Sequence, residues 1–283
     1  MRFRTIYGAL MIGAIGILVV LDSLFIQEMI LGSLLMLLLA ILGWTEYARI
    51  TGIAGTGQRR SPGLYWTGLT AVAWFFVIAW IGSRRPLPGG EEEWMLGGLA
   101  GLCLLAFLQV VLRGDFDRLY GPLLETIVGV VILGLLPSYF VRIYRIPGWQ
   151  GPVFWAILVA GVKGNDMAAY FVGKTWGKHH FLKVSPRKTL EGSLGALAFS
   201  MAYFALAGGV VQSLAPQCLF SASGGILFGM VVSLASQAGD LAESLFKRVY
   251  QVKDSGALLP EFGGALDMTD SLVFTGFLLW WVR

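Results

Sequence analysis

The chain consists mainly of long apolar segments separated by short polar ones. A helix that crosses a hydrocarbon core about 30 Å thick needs roughly 20 mostly apolar residues. Segments near this length occur at 5–21, 29–45, 65–82, 94–112, 122–142, 152–172, 192–212, 221–239 and 264–282. Because lipid offers no partner to backbone N–H and C=O groups, continuous apolar runs predict helices. We therefore expect an all-α integral membrane protein with about nine transmembrane helices.

The composition supports this class. Hydrophobic residues make up 56% of the chain and charged residues only 13%, against about 25% charged residues in a typical soluble domain. A cleaved signal peptide is an alternative for the first segment. However, no convincing small-residue cleavage site precedes Asp22, and eight further segments follow. Cys103 and Cys218 provide neither metal-ligand spacing nor a disulfide framework.

The distribution of Lys and Arg predicts the orientation. With the N-terminus in the cytoplasm, the other side holds Arg84, Arg85, Arg142, Arg145 and Arg283, and Lys163 lies within a span. The other fifteen of the 21 basic residues are then cytoplasmic. The positive-inside rule favours this arrangement. We expect a multi-pass protein of the cell inner membrane, with its motif-rich loops facing the cytoplasm.

Polar residues are unevenly distributed along the chain. Residues 1–150 alternate apolar spans with short turns, whereas residues 151–283 contain nearly all the polar motifs. We interpret the first region as N-terminal membrane helices that form a scaffold and lipid-facing wall. The second region is the expected catalytic part.

The first motif lies in the sixth apolar segment. Lys163 and Asp166 are three residues apart, so they share a helix face and can pair. Ionisable residues in a span cost about 2.5–3.5 kcal/mol each on insertion scales. A charge-neutralised structural pair is one interpretation. Asn165, Tyr170 and neighbouring small residues favour a polar cavity instead.

The second motif is the loop Lys183-Val-Ser185-Pro186-Arg187-Lys188-Thr189-Leu-Glu191-Gly192. A Ser-Pro start favours a turn or helix with free backbone N–H groups. Lys188 and Thr189 offer a cation and a hydroxyl to phosphate, and Glu191 could orient Lys188 or a metal-bound water. A loop that binds anionic lipid non-specifically explains Arg187, but it does not explain the other polar positions.

The third motif begins as a stripe on a helix and continues into a loop. Asp240, Glu243, Ser244 and Lys247 recur at i, i+3, i+4 and i+7, which places them on one face. A solvated helix face is the alternative. Further along the chain come Lys253, Asp254, the pair Gly263-Gly264, Asp267 and Asp270. Carboxylates suit Mg²⁺, which completes its shell with water and phosphate. No P-loop motif is present in the sequence.

Together these motifs resemble the phosphatidate cytidylyltransferase (CDP-diacylglycerol synthase) family. The quoted loop is similar to the family's Ser-Pro-x-Lys-Thr-x-Glu-Gly loop, and Asn165-Asp166-x-Ala-Ala-Tyr170-x-x-Gly-Lys174 to another family segment. The resemblance implies transfer of CMP from CTP to phosphatidic acid, which yields CDP-diacylglycerol and pyrophosphate for phospholipid biosynthesis. It implies Mg²⁺ as cofactor. A second cation and a homodimer are left open, and no nucleic-acid partner is expected.

The resemblance also implies roles for individual residues. Asp240 and Asp267 match the family's metal-binding aspartates. The residues expected to be catalytic are Asp240, Asp267, Lys247, Lys253 and Asp254. The residues expected to bind substrate are Asp166, Tyr170, Ser185, Lys188, Thr189, Glu191, Glu243, Ser244 and Asp270.

The chain departs from the family's C-terminal signature, Pro-Gly-His-Gly-Gly-x-x-Asp-Arg-x-Asp. Phe262 replaces the histidine and Met268 replaces the arginine. The expectation is a variant active enzyme that does not use a histidine at this position. Three alternatives are a CTP-dependent polyprenol or lipid kinase, a transporter with Lys163 and Asp166 as a midplane ion site, and an inactive scaffold.

Overall fold

The computed structural model describes residues 13, 16–22, 30–57, 59–146, 150–214, 221–256, 258 and 263–282, and these residues are mostly helical. The helices are α1 (Ile30–Ile50), α2 (Pro62–Gly82), α3 (Glu91–Arg113), α4 (Phe116–Val130), α5 (Leu136–Tyr144), α6 (Gln150–Trp176), α7 (Leu190–Leu214), α8 (Ala222–Val249), α9 (Ala265–Thr269) and α10 (Thr275–Val282). Outside them, His180 and Thr189 form an isolated antiparallel bridge.

Six helical segments of the described chain are long and apolar enough to cross a membrane. They are α1, α2, α3, the continuous stretch Phe116–Tyr144, α7 and α8. An all-α membrane protein is therefore consistent with the structure, but the count of nine spans is not confirmed. The predicted span 152–172 is part of the 27-residue helix α6, which is not one of the six. The predicted span 5–21 lies largely outside the described residues.

The prediction of one continuous helix over 264–282 is wrong. The segment breaks into α9 and α10, which are separated by a turn over residues 270–274. In this turn the backbone N–H of Ser271 donates to Asp270 Oδ1 at 2.6 Å, and Thr275 N–H donates to the carbonyl of Leu272 at 3.0 Å. Such local hydrogen bonds compete with the helical pattern. Hydropathy alone could not detect them.

The junction between α4 and α5 is a π-helical turn at Val131–Leu135. Pro137 follows directly and occupies the first turn of α5. Proline has no N–H to donate to the carbonyl of Leu133, and its ring crowds that carbonyl. A widened turn accommodates both effects without ending the helix.

The chain divides into two compact units. The first comprises the described residues up to Pro152 together with Tyr250–Thr269. The second comprises Val153–Val249 together with the residues from Asp270 onward. The division expected at residue 150 lies close to the first of these boundaries. Residues 250–269, however, belong with the N-terminal helices.

The first unit contains α1–α5 and α9, and α1 contacts α2, α4, α5 and α9. Trp44 of α1 is fully buried, and its indole N–H donates to the carbonyl of Tyr65 at 3.2 Å. The hydroxyl of Tyr47 donates to the backbone carbonyl of Glu125 at 2.9 Å. Tyr250 donates to the Glu125 carboxylate. Burial and this hydrogen bond raise the pKa of Tyr250 to about 12, so its hydroxyl remains a donor at neutral pH.

The second unit contains α7, α8, α10 and nearly all of α6. Asn165 of α6 is fully buried, and its Oδ1 accepts hydrogen bonds from Ser200 of α7 at 3.0 Å and from Ser233 of α8 at 2.7 Å. Its Nδ2 faces Ser236 Oγ at 3.3 Å. Small polar residues that bond between helices are typical of membrane helix packing. Here one amide joins α6, α7 and α8.

Candidate active site

The polar stripe predicted on α8 lies on one continuous helical face. Helix α8 extends to Val249, well past the predicted end of its span. Asp240, Glu243, Ser244 and Lys247 are all half-buried on it. Lys247 Nζ lies 2.7 Å from Glu243 Oε1, and the two side chains are 21% and 10% exposed. This low exposure argues against the alternative of a fully solvated helix face.

The turn after α9 brings a third carboxylate to this face. One carboxylate oxygen from each of Asp240, Glu243 and Asp270 lies within 4.8 Å of the other two. Gly239 permits the approach, because a Cβ atom there would collide with the carbonyl oxygen of Asp270. Converging carboxylate oxygens are the ligand type that Mg²⁺ prefers. The donor set therefore fits a divalent cation.

The loop before α7 adds a cation to this cluster. Lys188 Nζ lies 2.7 Å from Asp240 Oδ2, and the Lys188 side chain is 21% exposed. Arg248 Nε donates to the carbonyl of Val184 at 2.6 Å, which ties the loop to the end of α8. The neighbouring Arg187 is exposed. The two adjacent basic residues are therefore not equivalent, and binding of phosphate by this loop stays a prediction.

Other residues of this loop shape its backbone. Thr189 is buried and precedes the first residue of α7, and its Oγ1 accepts from Gly192 N–H at 3.2 Å. This is an N-cap hydrogen bond. The carbonyl of Ser185 accepts from Lys188 N–H at 3.0 Å. Substrate contacts of Ser185 and Thr189 stay predictions.

Glu191 does not pair with Lys188 as the sequence suggested. Its Oε2 accepts from the backbone N–H groups of Lys178 and His179 at 3.1 and 3.2 Å, and its Oε1 lies 2.5 Å from His179 Nδ1. These donors belong to the residues just after α6, and their position next to Glu191 could not be inferred from the spacing of residues in the sequence. The carboxylate therefore orders residues 178–179, and its contact with substrate stays a prediction.

Helix α6 contributes the predicted pair of opposite charges. Lys163 Nζ lies 3.7 Å from Asp166 Oδ2, and it also donates to Ser271 Oγ at 2.9 Å. Asp166 Oδ1 accepts from Ser236 Oγ of α8 at 3.1 Å. The pair is thus linked to α8 and to the turn that contains Asp270. Sequence reasoning omitted Ser236 and Ser271. The position of Ser236 four residues before Asp240 is the signal that could have identified it.

Tyr170 lies elsewhere on α6. Its side chain is 51% exposed, and Lys174 Nζ lies 5.7 Å from the centre of its ring. The structure thus places it in a cation–π contact at an exposed surface. Its role in substrate binding stays a prediction.

Three predicted residues belong to the first unit. Lys253 and Asp254 are exposed in the loop that follows Tyr250. Asp267 Oδ2 accepts hydrogen bonds from Ser255 N–H at 2.9 Å, Ser255 Oγ at 2.8 Å and Gly264 N–H at 2.8 Å. The pairing of Asp240 with Asp267 at one metal stays a prediction. Of the signature departures named above, Met268 lies in α9, and Phe262 falls outside the described residues.

Comparison with known proteins gives consistent results. The model of the Cytidylyltransferase family matches residues 3–283. A phosphatidate cytidylyltransferase of Synechocystis sp. is 34% identical over 198 residues, which cover 59% of this chain and 66% of that protein. One of Bacillus subtilis is 35% identical over 146 residues, covering 51% and 52%. One of Helicobacter pylori is 39% identical over 128 residues, covering 43% of each chain. The chain thus matches less than two thirds of the length of each of these relatives.

Proposed function

The chain belongs to the Cytidylyltransferase family, and from this premise we propose that it transfers CMP from CTP to phosphatidic acid. The products are CDP-diacylglycerol and pyrophosphate. The names of the similar proteins support this substrate pair. The resemblance noted from the polar motifs is confirmed at the level of the family.

One structural observation carries the proposal. Asp240, Glu243 and Asp270 direct carboxylate oxygens to within 4.8 Å of one another. Lys188 and Lys247 each lie 2.7 Å from a carboxylate of this cluster. Alternating anionic and cationic groups of this kind suit a reaction that brings two phosphate-bearing substrates together. A membrane-embedded scaffold needs no such cluster, because each intramembrane charge is costly.

In the proposed reaction a phosphate oxygen of the lipid attacks the α-phosphorus of CTP, and pyrophosphate leaves. The attacking phosphomonoester is anionic near neutral pH, so a strong general base is not required. This agrees with the replacement of the signature histidine by Phe262. The main tasks of the site are to position two substrates in line and to offset their negative charge.

The lysines can perform part of this task directly. An ammonium group has three donors, so Lys188 can bind Asp240 and still donate to a phosphate oxygen. Lys247 can do the same beside Glu243. Asp166 is held from two sides by Ser236 and Lys163, so it presents a fixed acceptor near the same turn.

The cofactor that the family implies is Mg²⁺, and the three clustered carboxylates fit it. Asp240, Glu243 and Asp270 would hold the ion within the second unit, and the resemblance adds Asp267 as a ligand. When bound, Mg²⁺ offsets phosphate charge as a Lewis acid. The roles of Lys253, Asp254 and Ser244 rest on the resemblance alone.

The proposal also covers location and partners. Fifteen of the 21 basic residues lie in segments that are cytoplasmic if the N-terminus is inside. The protein is then a multi-pass protein of the inner membrane whose site faces the cytoplasm, where CTP is available. Phosphatidic acid reaches the site from the bilayer. A homodimer and a second cation remain part of the proposal without a specific structural observation.

The test is a reconstituted assay. The purified chain in phosphatidic acid vesicles, supplied with CTP and Mg²⁺, is expected to release pyrophosphate and form CDP-diacylglycerol. Omission of lipid, of CTP or of Mg²⁺ should each stop pyrophosphate release. Formation of CDP without pyrophosphate would identify a CTP-dependent kinase instead. Absence of any nucleotide turnover would favour an inactive scaffold.

A further inference from the structure

Glu46 is a buried carboxylate in α1 that the motif analysis did not single out. Its helix is mostly apolar, carries Arg49 as its other charged residue, and is one of the six that can cross a membrane. The residue is only 9% exposed. An ionisable residue in such a helix is costly, so its presence calls for specific partners.

Among the described residues, the hydrogen-bond partners of Glu46 are Ser255, Ala265 and Leu266, which belong to the first unit. Its Oε1 accepts from the backbone N–H of Ala265 at 3.0 Å, and its Oε2 accepts from the N–H of Leu266 at 3.1 Å. Ser255 Oγ lies 3.1 Å from the same Oε2. Both carboxylate oxygens are therefore used to hold residues more than 200 positions later in the chain.

The segment held by Glu46 also holds Asp267. Ser255 Oγ lies 2.8 Å from Asp267 Oδ2, and the N–H groups of Ser255 and Gly264 donate to the same oxygen. Ser255 is thus in contact with both carboxylates. A movement of Ser255 or of the start of α9 would change the position of Asp267.

Close packing supports the same role. A Cβ atom at Gly256 would collide with Glu46 Oε1, and one at Gly264 would collide with Glu46 Oε2 and Ser255 Oγ. The carboxylate therefore lies directly against the backbone at Gly256 and at Gly264. The glycines leave the space that this arrangement requires.

We propose that Glu46 is a positioning residue of the reaction: it anchors Ser255 and the start of α9 to α1 and so fixes Asp267. This inference rests on the proposed function for its catalytic consequence. The anchoring itself is a structural property that can be measured without turnover.

The first experiment measures hydrogen exchange in the purified chain. In Glu46→Gln the side chain has one oxygen in place of two, and its amide group faces backbone donors. The charge-assisted bonds to Ala265 and Leu266 are therefore weakened. Amides in peptides covering 264–269 should exchange at least about tenfold faster than in the wild type, because the local opening becomes easier.

The matched control is Glu91→Gln. Glu91 also belongs to the first unit, and its Oε2 lies 2.6 Å from Nε of the buried Arg142. The substitution changes the same atoms and weakens a buried contact elsewhere. It should lower the melting temperature while leaving exchange in 264–269 unchanged.

The second experiment separates positioning from general destabilisation. In Glu46→Gln, kcat per folded molecule should fall by about 10- to 100-fold, since a small misplacement of a catalytic group has effects of this size. The KM for CTP should change much less, because both oxygens of the buried Glu46 carboxylate are already bonded within the protein. Glu91→Gln should retain both constants at matched amounts of folded protein.

A second variant disturbs the contacts of Glu46 by changing the backbone position that it packs against. Gly256→Ala leaves Glu46 in place but forces its carboxylate away from the amides. It should reproduce the faster exchange and the lower kcat. The double variant of Gly256→Ala and Glu46→Ala should show nearly the same exchange rate and kcat as Glu46→Ala alone. The reason is that the carboxylate with which the added Cβ collides is absent.

The outcomes test the anchoring by Glu46, its positioning role in catalysis and the proposed reaction separately. Unchanged exchange in 264–269 in both Glu46→Gln and Gly256→Ala overturns the anchoring, whatever the activity. Faster exchange with unchanged kcat overturns the positioning role. Faster exchange in a chain whose wild type makes no CDP-diacylglycerol upholds the anchoring and overturns the proposed reaction instead.

Discussion

At the scale of single residues, side chains of the same charge differ in whether they contact the cluster formed by Asp240, Glu243 and Asp270. Lys188 and Arg187 are adjacent and both basic, yet Lys188 contacts Asp240 at 2.7 Å and Arg187 is exposed. Glu243 faces the cluster, whereas Glu191 folds back on His179. Contacts, rather than charge alone, therefore decide which residues belong to the site.

Lys188→Ala should reduce kcat/KM more than Arg187→Ala. Loss of one charge-assisted phosphate contact costs about 1.5–3 kcal/mol, or roughly 10- to 150-fold in kcat/KM. Arg187→Ala should remain within about threefold of the wild type, as exposed substitutions usually have small effects. Steady-state kinetics on anionic vesicles compare the two. Equal, small effects would support a loop that binds lipid surfaces non-specifically.

If Asp240 binds Mg²⁺ as proposed, Asp240→Asn should reduce turnover by at least about 100-fold, since it removes a ligand charge worth several kcal/mol. Asp267→Asn should have a similar effect if the role implied by the resemblance is correct. Asp115→Asn is the matched control, because Asp115 is exposed at the start of α4. Melting temperature and size-exclusion profiles check that each variant is folded. Near wild-type activity of Asp240→Asn at saturating Mg²⁺ would remove that residue from the site.

The helical spacing of residues was predictable, but contacts between segments were not. The stripe from Asp240 to Lys247 follows from the period of a helix, and so does the pair formed by Lys163 and Asp166. The position of Asp270 next to Asp240 depends on a turn that hydropathy does not reveal. The contacts of Glu46 join positions more than 200 residues apart, which no local pattern encodes.

At the scale of elements, the break between α9 and α10 is the feature that completes the cluster. In a continuous helix over 264–282, Asp270 would lie inside the helix, whereas it is in fact the first residue of a turn. The observed turn packs against α8 at Gly239, where the two backbones approach closely. Six of the nine predicted spans coincide with described helices that are long and apolar enough to cross a membrane, since length and hydropathy determine them. Span prediction failed here because local polar hydrogen bonds end the helix.

Gly239→Ala should disturb this contact. The added Cβ collides with the backbone of Asp270, which cannot rotate away as a side chain could. Overpacking of this kind costs about 1–3 kcal/mol, so both melting temperature and activity should fall.

Gly209→Ala is the control for this prediction, because the nearest atom to its added Cβ is 3.8 Å away, in Ala222. Alanine is favoured over glycine in a helix by up to about 1 kcal/mol, so this variant should be neutral or slightly more stable. Thermal unfolding in detergent measures both variants. If Gly239→Ala matched Gly209→Ala, the turn would not be packed as described.

At the scale of the whole molecule, the distribution of charge predicts which side of the membrane each loop occupies. The bias of basic residues predicts that the loops after α6 and after α8 lie in the cytoplasm. The same orientation places Arg84 and Arg85 on the opposite side. Helix count does not determine this orientation, because the N-terminal segment lies largely outside the described residues.

Cysteine labelling tests the orientation. In a chain in which Cys103 and Cys218 are replaced by Ser, Leu258→Cys should react with a membrane-impermeant reagent only from the cytoplasmic side. Leu258 is exposed and lies three residues after Ser255. Arg85→Cys should react only from the outside. A reversed pattern would overturn both the topology and the proposed access of CTP.

The central claim is that this membrane protein transfers a nucleotidyl group from CTP to phosphatidic acid. The most direct measurement follows the fate of each phosphorus atom of CTP. With CTP labelled at the α-phosphorus, the label should enter the lipid fraction as CDP-diacylglycerol. With CTP labelled at the γ-phosphorus, it should appear in pyrophosphate and not in lipid, and Asp240→Asn should abolish both products. Transfer of the γ-label to lipid, with release of CDP, would contradict the claim and identify a lipid kinase.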